Sequence, residues 1–146
     1  MATVKDILGC KGTVVFALPP QKTILDALKF MSQKGIGAVL VMEGDKMLGI
    51  YTERDFARRG PLVDNPLTTP LQKVMTQVIY YVSPEQSLEA CLAQMSDKHI
   101  RHLPVLVSEK VVGMVSIGDV VKFMVQDQKE LITGLENFIL GRELMS

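Results

Sequence analysis

The stretch Gly49-Ile-Tyr-Thr52-Glu-Arg-Asp55 occurs a second time, 64 residues later, as Gly113-Met-Val-Ser116-Ile-Gly-Asp119. In the same register, residues 14–56 match residues 78–120 without a gap, with eleven identical positions. Many of the other positions exchange one apolar residue for another. The chain therefore contains two copies of one unit. Because a duplicated unit usually packs against its own copy, we expect function in the cleft between them.

Both copies follow the same order of predicted elements. A β-rich run (residues 14–18 and 78–82) comes first and ends at a proline-containing turn. A helix with apolar residues at helical spacing is next, and Thr23 and Ser87 are its expected N-caps. Two strands joined by a tight turn follow, and a further helix opens at the repeated motif. The sequence predicts an α+β fold of two tandem β-α-β-β-α units.

Proline and glycine residues between the copies mark a connector. Residues 61–72 are predicted to join a first unit, residues 1–60 with the N-terminal segment, to a second unit, residues 73–126. Residues 127–146 are predicted to form a helical tail. The tail continues a seam of four- and three-residue spacing that favours packing on another helix: Ile117, Val121, Met124, Gln128, Leu131, Leu135 and Phe138. We expect a homodimer contact there, with packing on the same chain as the alternative.

The composition excludes some classes of function. Sixteen Lys and Arg residues balance sixteen Asp and Glu residues, so the broad positive field needed for sequence-independent nucleic-acid binding is absent. No apolar run approaches the roughly 18 residues of a membrane span. Of the two cysteines, Cys91 is predicted to be a small core residue and Cys10 to lie in a loop, which fits a reducing compartment. We expect a soluble, cytoplasmic protein with no nucleic-acid or membrane partner.

A recognisable pattern emerges from these motifs. Each copy ends Gly-hydrophobic-x-Thr/Ser-x-x-Asp, and the second adds Ile100-Arg-His-Leu-Pro104-Val before its middle strand. The sequence resembles a tandem pair of cystathionine-β-synthase (CBS) domains, of the free-standing bacterial type, over about residues 4–124. The resemblance implies two units packed as a pseudo-twofold pair with two clefts between them, in a module that commonly dimerises.

The resemblance also implies a function. Members of the family often bind AMP, ADP, ATP, NAD or S-adenosylmethionine between the units and regulate another protein. The motif Asp binds the ribose hydroxyls and the neighbouring Thr or Ser assists, which here implicates Thr52, Asp55, Ser116 and Asp119. One carboxylate can accept both vicinal ribose hydroxyls in charge-assisted hydrogen bonds. The alternative is a capping box that only satisfies the helix N-terminus.

The other candidate ligand contacts differ between the copies. At the strand entrance, Gly37 and Ala38 leave room for a flat base, and Ile36 and Ile100 could cover its face, with ordinary core packing as the alternative. For phosphate, Arg54 is the first choice in the first cleft, where Arg58 and Arg59 also cluster. Arg101 and His102 are the candidates in the second cleft, and solvated surface charge is the alternative for each cation. Two unlike clefts are therefore expected.

Several chemistries find no support in the sequence. His99-x-x-His102 supplies too few ligands for a zinc site. No nucleophile–base arrangement, Walker loop or Gly-x-Gly-x-x-Gly turn occurs. We expect no metal, no catalytic cofactor and no enzyme activity. The leading hypothesis is a regulatory module that senses adenine nucleotides, and the alternative is a constitutive dimerisation module with vestigial clefts.

Overall fold

The computed structural model describes residues 2–77 and 79–139. The first copy contributes five elements: β1 (Ala17–Leu18), α2 (Ile24–Lys34), β2 (Ala38–Glu43), β3 (Lys46–Thr52) and α3 (Glu53–Arg59). The second contributes four: α5 (Leu88–Lys98), β4 (His102–Val107), β5 (Lys110–Ser116) and α6 (Ile117–Ile139). Two helices precede the copies, α1 (Val4–Lys11) and α4 (Leu71–Val74), and a short 3₁₀ turn covers Gly60–Leu62. The predicted α+β order is confirmed.

The two sheets differ in their first strand. In the first unit β1 pairs parallel to β2, which pairs antiparallel to β3. In the second unit β4 and β5 form an antiparallel pair, and the predicted first strand is reduced to one bridge, between Val82 and Val105. The reason is a difference between the two copies at one matched position. Leu40 N donates to Phe16 O in the first copy, whereas the matched Pro104 has no amide hydrogen to donate to Tyr80.

The helices that precede the two copies are exchanged between the units. Val4, Ile7 and Leu8 of α1 belong to the core of the second unit. Leu71 of α4 belongs to the core of the first unit. A backbone bridge between Thr3 and Ser87 joins the start of α1 to the second unit, and the matching bridge between Pro70 and Thr23 joins the start of α4 to the first unit. The two units are therefore related as a pseudo-twofold pair. The predicted boundary of the first unit at residue 60 stays a prediction. The sequence assigned α1 to that first unit, but α1 packs in the second unit because its apolar face completes the core of the second unit.

Local signals in the sequence are confirmed at the helix ends. The hydroxyl of Thr23 accepts from Asp26 N at 3.1 Å, and that of Ser87 accepts from Ala90 N at 3.1 Å, so both predicted N-caps form. Cys91 is fully buried, as predicted. The prediction of a loop at Cys10 is wrong, because α1 extends through this residue and leaves it exposed on the helix.

The C-terminal helix α6 runs 23 residues and extends beyond the core. Val120 packs inside the second unit, and Phe123 and Met124 pack against its edge. Residues 127–139 of the predicted tail are helical, and residues 140–146 lie outside the described part. Within residues 2–77 and 79–139, no helix combines the length and the apolar character needed to cross a bilayer.

Candidate binding clefts

The repeated motif forms the same hydrogen bonds in both copies. Thr52 N donates to Asp55 Oδ2 at 3.0 Å, and Asp55 N donates to the Thr52 hydroxyl at 3.0 Å. Ser116 and Asp119 repeat the pair at 2.9 and 3.0 Å. The capping alternative is therefore realised, but it uses only Oδ2 of each acid. Among the described residues no donor reaches Oδ1, so each carboxylate keeps an oxygen for a ligand.

Backbone bonds bring each strand entrance to the start of the motif helix. Glu53 N donates to Gly37 O at 3.0 Å, and Ile117 N donates to Arg101 O at 2.8 Å. These are matched positions in the repeat. Each pair satisfies an N–H group at a helix start that has no partner inside its own helix. The segments predicted to form one site are therefore neighbours in both copies.

The space predicted for an adenine ring at Gly37 is occupied. The His102 imidazole crosses from the second copy, and its Nε2 lies 3.5 Å from the position that a Cβ on Gly37 would take. Ala38 begins β2 and is buried. Ile36 and Ile100 pack at the edges of the two cores, which favours their alternative reading as core residues. A base cannot lie flat against Gly37 unless His102 moves.

The environment of His102 opposes a positive charge. Burial lowers the pKa of this imidazole below its ordinary value of 6.5. The nearby Asp119 raises the pKa, Lys11 and Arg101 lower it, and Asp55 raises it, so burial decides the direction. His102 is therefore mainly neutral at neutral pH. That weakens its predicted role as a phosphate-binding cation and leaves it as a hydrogen-bonding group.

A pH dependence of stability follows from His102. The unfolded chain binds this proton near pH 6.5 and the folded chain only at lower pH. Acidification from about pH 7 to about pH 5.5 should therefore lower the free energy of unfolding, and His102→Gln should reduce that loss. Urea denaturation at the two pH values measures it. The contribution of Asp119, whose pKa is lowered from 3.8, is lost only at more acid pH.

His99 offers the matched control for this experiment. It is the other histidine of the chain, is exposed, and has a positive φ of 56°, which Asn also tolerates. His99→Asn therefore removes an exposed imidazole without touching a buried group, and it is the variant with which His102→Gln is compared. Equal pH dependence in wild type and His102→Gln would show that His102 is not the group responsible.

A small cavity of about 210 Å³ opens beside Asp55. Two cations, Arg59 and Lys73, line it together with this carboxylate. The remaining lining residues are Tyr51, Gly60, Val63, Val74 and Met75. Burial raises the pKa of Tyr51 to about 12, so its hydroxyl stays protonated. Sequence reasoning did not single out Lys73, because it precedes the second copy in the chain yet lies against the first.

A wider cleft of about 460 Å³ lies between the units. Arg54 and Arg101 both line it, and Arg54 Nη1 donates to His99 O at 3.1 Å, at the end of α5. The other lining residues are Leu92, Met95, Ser96, His99, Ile100 and Ile117. Arg54 was predicted to serve the same cleft as Asp55. The structure instead directs its guanidinium to the second unit, because the C-terminal carbonyls of α5 attract a cation.

Asp119 differs from Asp55 in having an ion pair. Lys11 Nζ lies 2.6 Å from Asp119 Oδ2 and also donates to Met114 O at 2.9 Å. Burial works to raise the pKa of Asp119, but the hydrogen bonds from Lys11 and Ser116 outweigh it and lower the pKa. Lys11 and Asp119 are 108 positions apart in the chain, so no spacing in the sequence indicated this contact.

Comparison with known proteins agrees with this architecture. The CBS domain family profile matches residues 3–61 and 71–126. The chain belongs to the CBS-domain family. It is 34% identical to the CBS domain-containing protein YhcV of Bacillus subtilis over 119 residues, which cover 82% of this chain and 83% of that protein. The pair is therefore a regulatory type of module.

Solved structures of other CBS proteins superpose on this CBS pair. A protein with CBS domains from Burkholderia ambifaria MC40-6 is 41% identical, with a TM-score of 0.83 over 87% of this chain and 96% of its own. The CBS pair of protein MJ0100, solved with 5-methylthioadenosine and S-adenosyl-L-methionine, is 23% identical. Its TM-score is 0.75 over 87% of this chain and 98% of its own, and at this identity the likeness concerns the fold.

Proposed function

We propose that this CBS pair is a sensor of adenosine-containing ribonucleotides. The observation that carries the proposal is the Asp55 cavity, where a carboxylate with an unused oxygen lies near two cations, Arg59 and Lys73. Ribose hydroxyls are donors that suit the carboxylate, and a phosphate suits the cations. The adenosine ligands of the MJ0100 pair support this class of ligand.

The size of the cavity limits how the ligand binds. Sites for whole small molecules usually enclose about 300–1,000 Å³. The space of about 210 Å³ suits a ribose and one phosphate, so the base would lie at the rim. AMP, ADP, ATP and NAD share these groups and are all candidates. In this arrangement His102 lies near the base as a neutral hydrogen-bonding group and does not bind a phosphate.

A bound ligand can act as a signal through linkage. A ligand that binds the folded pair stabilises it by RT ln(1 + [L]/Kd), about 2.7 kcal/mol at a hundredfold excess over Kd. If one arrangement of the two units binds it better, the ligand also shifts the population toward that arrangement. We propose that a regulated protein partner responds to this shift. The module acts by binding, and turnover of a bound nucleotide would contradict that.

Ribonucleotide binding should depend strongly on Asp55. Asp55→Ala removes the acceptor for two hydroxyls, and we expect the AMP affinity of the Asp55 cavity to fall about tenfold to a hundredfold. Isothermal titration calorimetry measures the change. A thermal-shift panel of AMP, ADP, ATP, NAD and S-adenosylmethionine, with 2′-deoxy analogues, tests the class of ligand. Ribonucleotides should raise the melting temperature more than deoxy analogues do.

Asp26→Ala is the matched control for Asp55→Ala. Asp26 forms the same capping box, with Thr23, at the start of α2, but lines neither described cavity. Both variants lose the N3 carboxylate of a capping box, but only Asp55→Ala should lose nucleotide affinity. Equal affinity in all three proteins, or a flat thermal-shift panel, would favour the dimerisation alternative.

A second function, homodimerisation, is favoured by α6. Its outer face exposes apolar side chains along its whole length, among them Ile132, Leu135 and Ile139, which are 55%, 54% and 78% exposed. In an isolated chain this row faces water, and a second copy would cover it with an identical row. We propose that α6 pairs two copies of the CBS module.

The free thiols of Cys10 and Cys91 fit a reducing compartment, and we propose that the protein lies in the cytoplasm.

A further inference from the structure

The two motif carboxylates have different electrostatic surroundings. Lys11 Nζ contacts Asp119 Oδ2 at 2.6 Å, and the same oxygen accepts Ser116 N at 2.9 Å. Among residues 2–77 and 79–139, no cationic side chain lies within 4.0 Å of the Asp55 carboxylate. The motif carboxylate therefore meets an intramolecular ammonium at Asp119, whereas two more distant cations, Arg59 and Lys73, line the cavity beside Asp55.

The difference arises from three extra residues before the first copy. Leu8 packs against Gly113 and Met75 packs against the matched Gly49, so α1 and α4 take equivalent places on opposite units. After Met75 the chain leaves its helix at once, and Thr76 pairs with Ile50. After Leu8, α1 continues through residues 9–11, and this extra turn carries Lys11 to the second motif. The first motif has no equivalent turn beside it.

We propose that Lys11 makes the two motif acids unequal by competing with a ligand for Asp119, so that a ribonucleotide binds first in the Asp55 cavity. The inference rests on the proposed function. Oδ2 of Asp119 already accepts from both Ser116 N and Lys11, so Oδ1 is the open oxygen, whereas two ribose hydroxyls that bind both carboxylate oxygens also need a lone pair of Oδ2. A ligand at Asp119 must displace Lys11 or accept fewer hydrogen bonds, whereas a ligand at Asp55 displaces no cation.

The competition is modest and reversible. The side chains of Lys11 and Asp119 are 40% and 27% exposed, and ion pairs accessible to water are weak. An interaction of that strength corresponds to about a two- to fivefold change in affinity. Lys11 therefore lowers the ligand affinity at Asp119 relative to that at Asp55, and it does not block Asp119 permanently. When a ligand displaces it, Val4 and Ile7 still hold the first turns of α1 in the core.

Two readouts on Lys11→Met test the proposal, one of them without a ligand. Carboxyl NMR titration should show the pKa of Asp119 rising when the ammonium is removed. For binding, Asp55→Ala leaves Asp119 as the motif acid available to AMP, and Lys11→Met in that background should tighten AMP binding about two- to fivefold by calorimetry. Lys5→Met is the matched control, because Lys5 is an exposed lysine of the same helix and lies in no described ion pair.

Each outcome of these titrations has one meaning. A higher Asp119 pKa together with tighter AMP binding, and neither with Lys5→Met, supports the competition. Unchanged or weaker AMP binding in Lys11→Met overturns it, and leaves the proposed function intact if wild type binds AMP and Asp55→Ala weakens it. If neither wild type nor any variant binds AMP, ATP or NAD, the proposed function fails and the role of Lys11 fails with it.

Discussion

Ile7→Ala is expected to destabilise the second unit, although Ile7 precedes the first copy in the chain. Its side chain is 3% exposed and packs in the core cluster that contains Leu88, Leu103 and Val115. Removing it leaves a cavity in that core, which costs about 2–5 kcal/mol of unfolding free energy. For a pair of small units with a total stability of about 5–15 kcal/mol, that loss is large. Urea denaturation followed by circular dichroism measures it.

Hydrogen exchange shows which unit depends on Ile7. Amides of α5 and β4 should lose protection before those of α2 and β2, since α1 completes the second core and not the first. Lys5→Ala changes an exposed position of the same helix and should alter stability by less than about 0.5 kcal/mol. An Ile7→Ala variant that loses protection first in α2 and β2 would contradict the exchange of helices between the units.

The double change Ile132→Asp and Leu135→Asp is expected to convert the proposed dimer into monomers. Each copy would bring two carboxylates into an apolar helix contact, and a buried charge without a partner is expensive. We expect the dissociation constant of the dimer to rise at least about a hundredfold. The monomer should remain folded, because both side chains are exposed in the single chain. Sedimentation velocity over a concentration series measures the change.

The control for the dimer experiment places the same charges off the apolar row. Gln126→Asp and Thr133→Asp alter exposed polar positions of α6 and should leave the assembly unchanged. A wild-type protein that is monomeric at about 100 µM, far above typical dissociation constants of stable dimers, would contradict pairing through α6. So would a double variant of Ile132 and Leu135 that still sediments as a dimer.

Local patterns in the sequence predicted the parts of the fold that depend on neighbouring residues. The caps at Thr23 and Ser87 form because a hydroxyl reaches the amide three residues along. The capping boxes at Asp55 and Asp119 form for the same reason. One local signal was missed: Pro104 predicts a shortened first strand in the second unit, because it interrupts the pattern that Leu40 completes.

The duplicated pattern, its helix caps and its two motif acids could be read from the chain, since each depends on spacings of a few residues. The direction of Arg54 toward His99, the His102 ring on Gly37 and the Lys11 contact with Asp119 could not. These contacts join residues 45 to 108 positions apart. The first two depend on how the two copies pack together, and the third depends on α1 packing on the second unit. Packing therefore gives two similar motifs different surroundings.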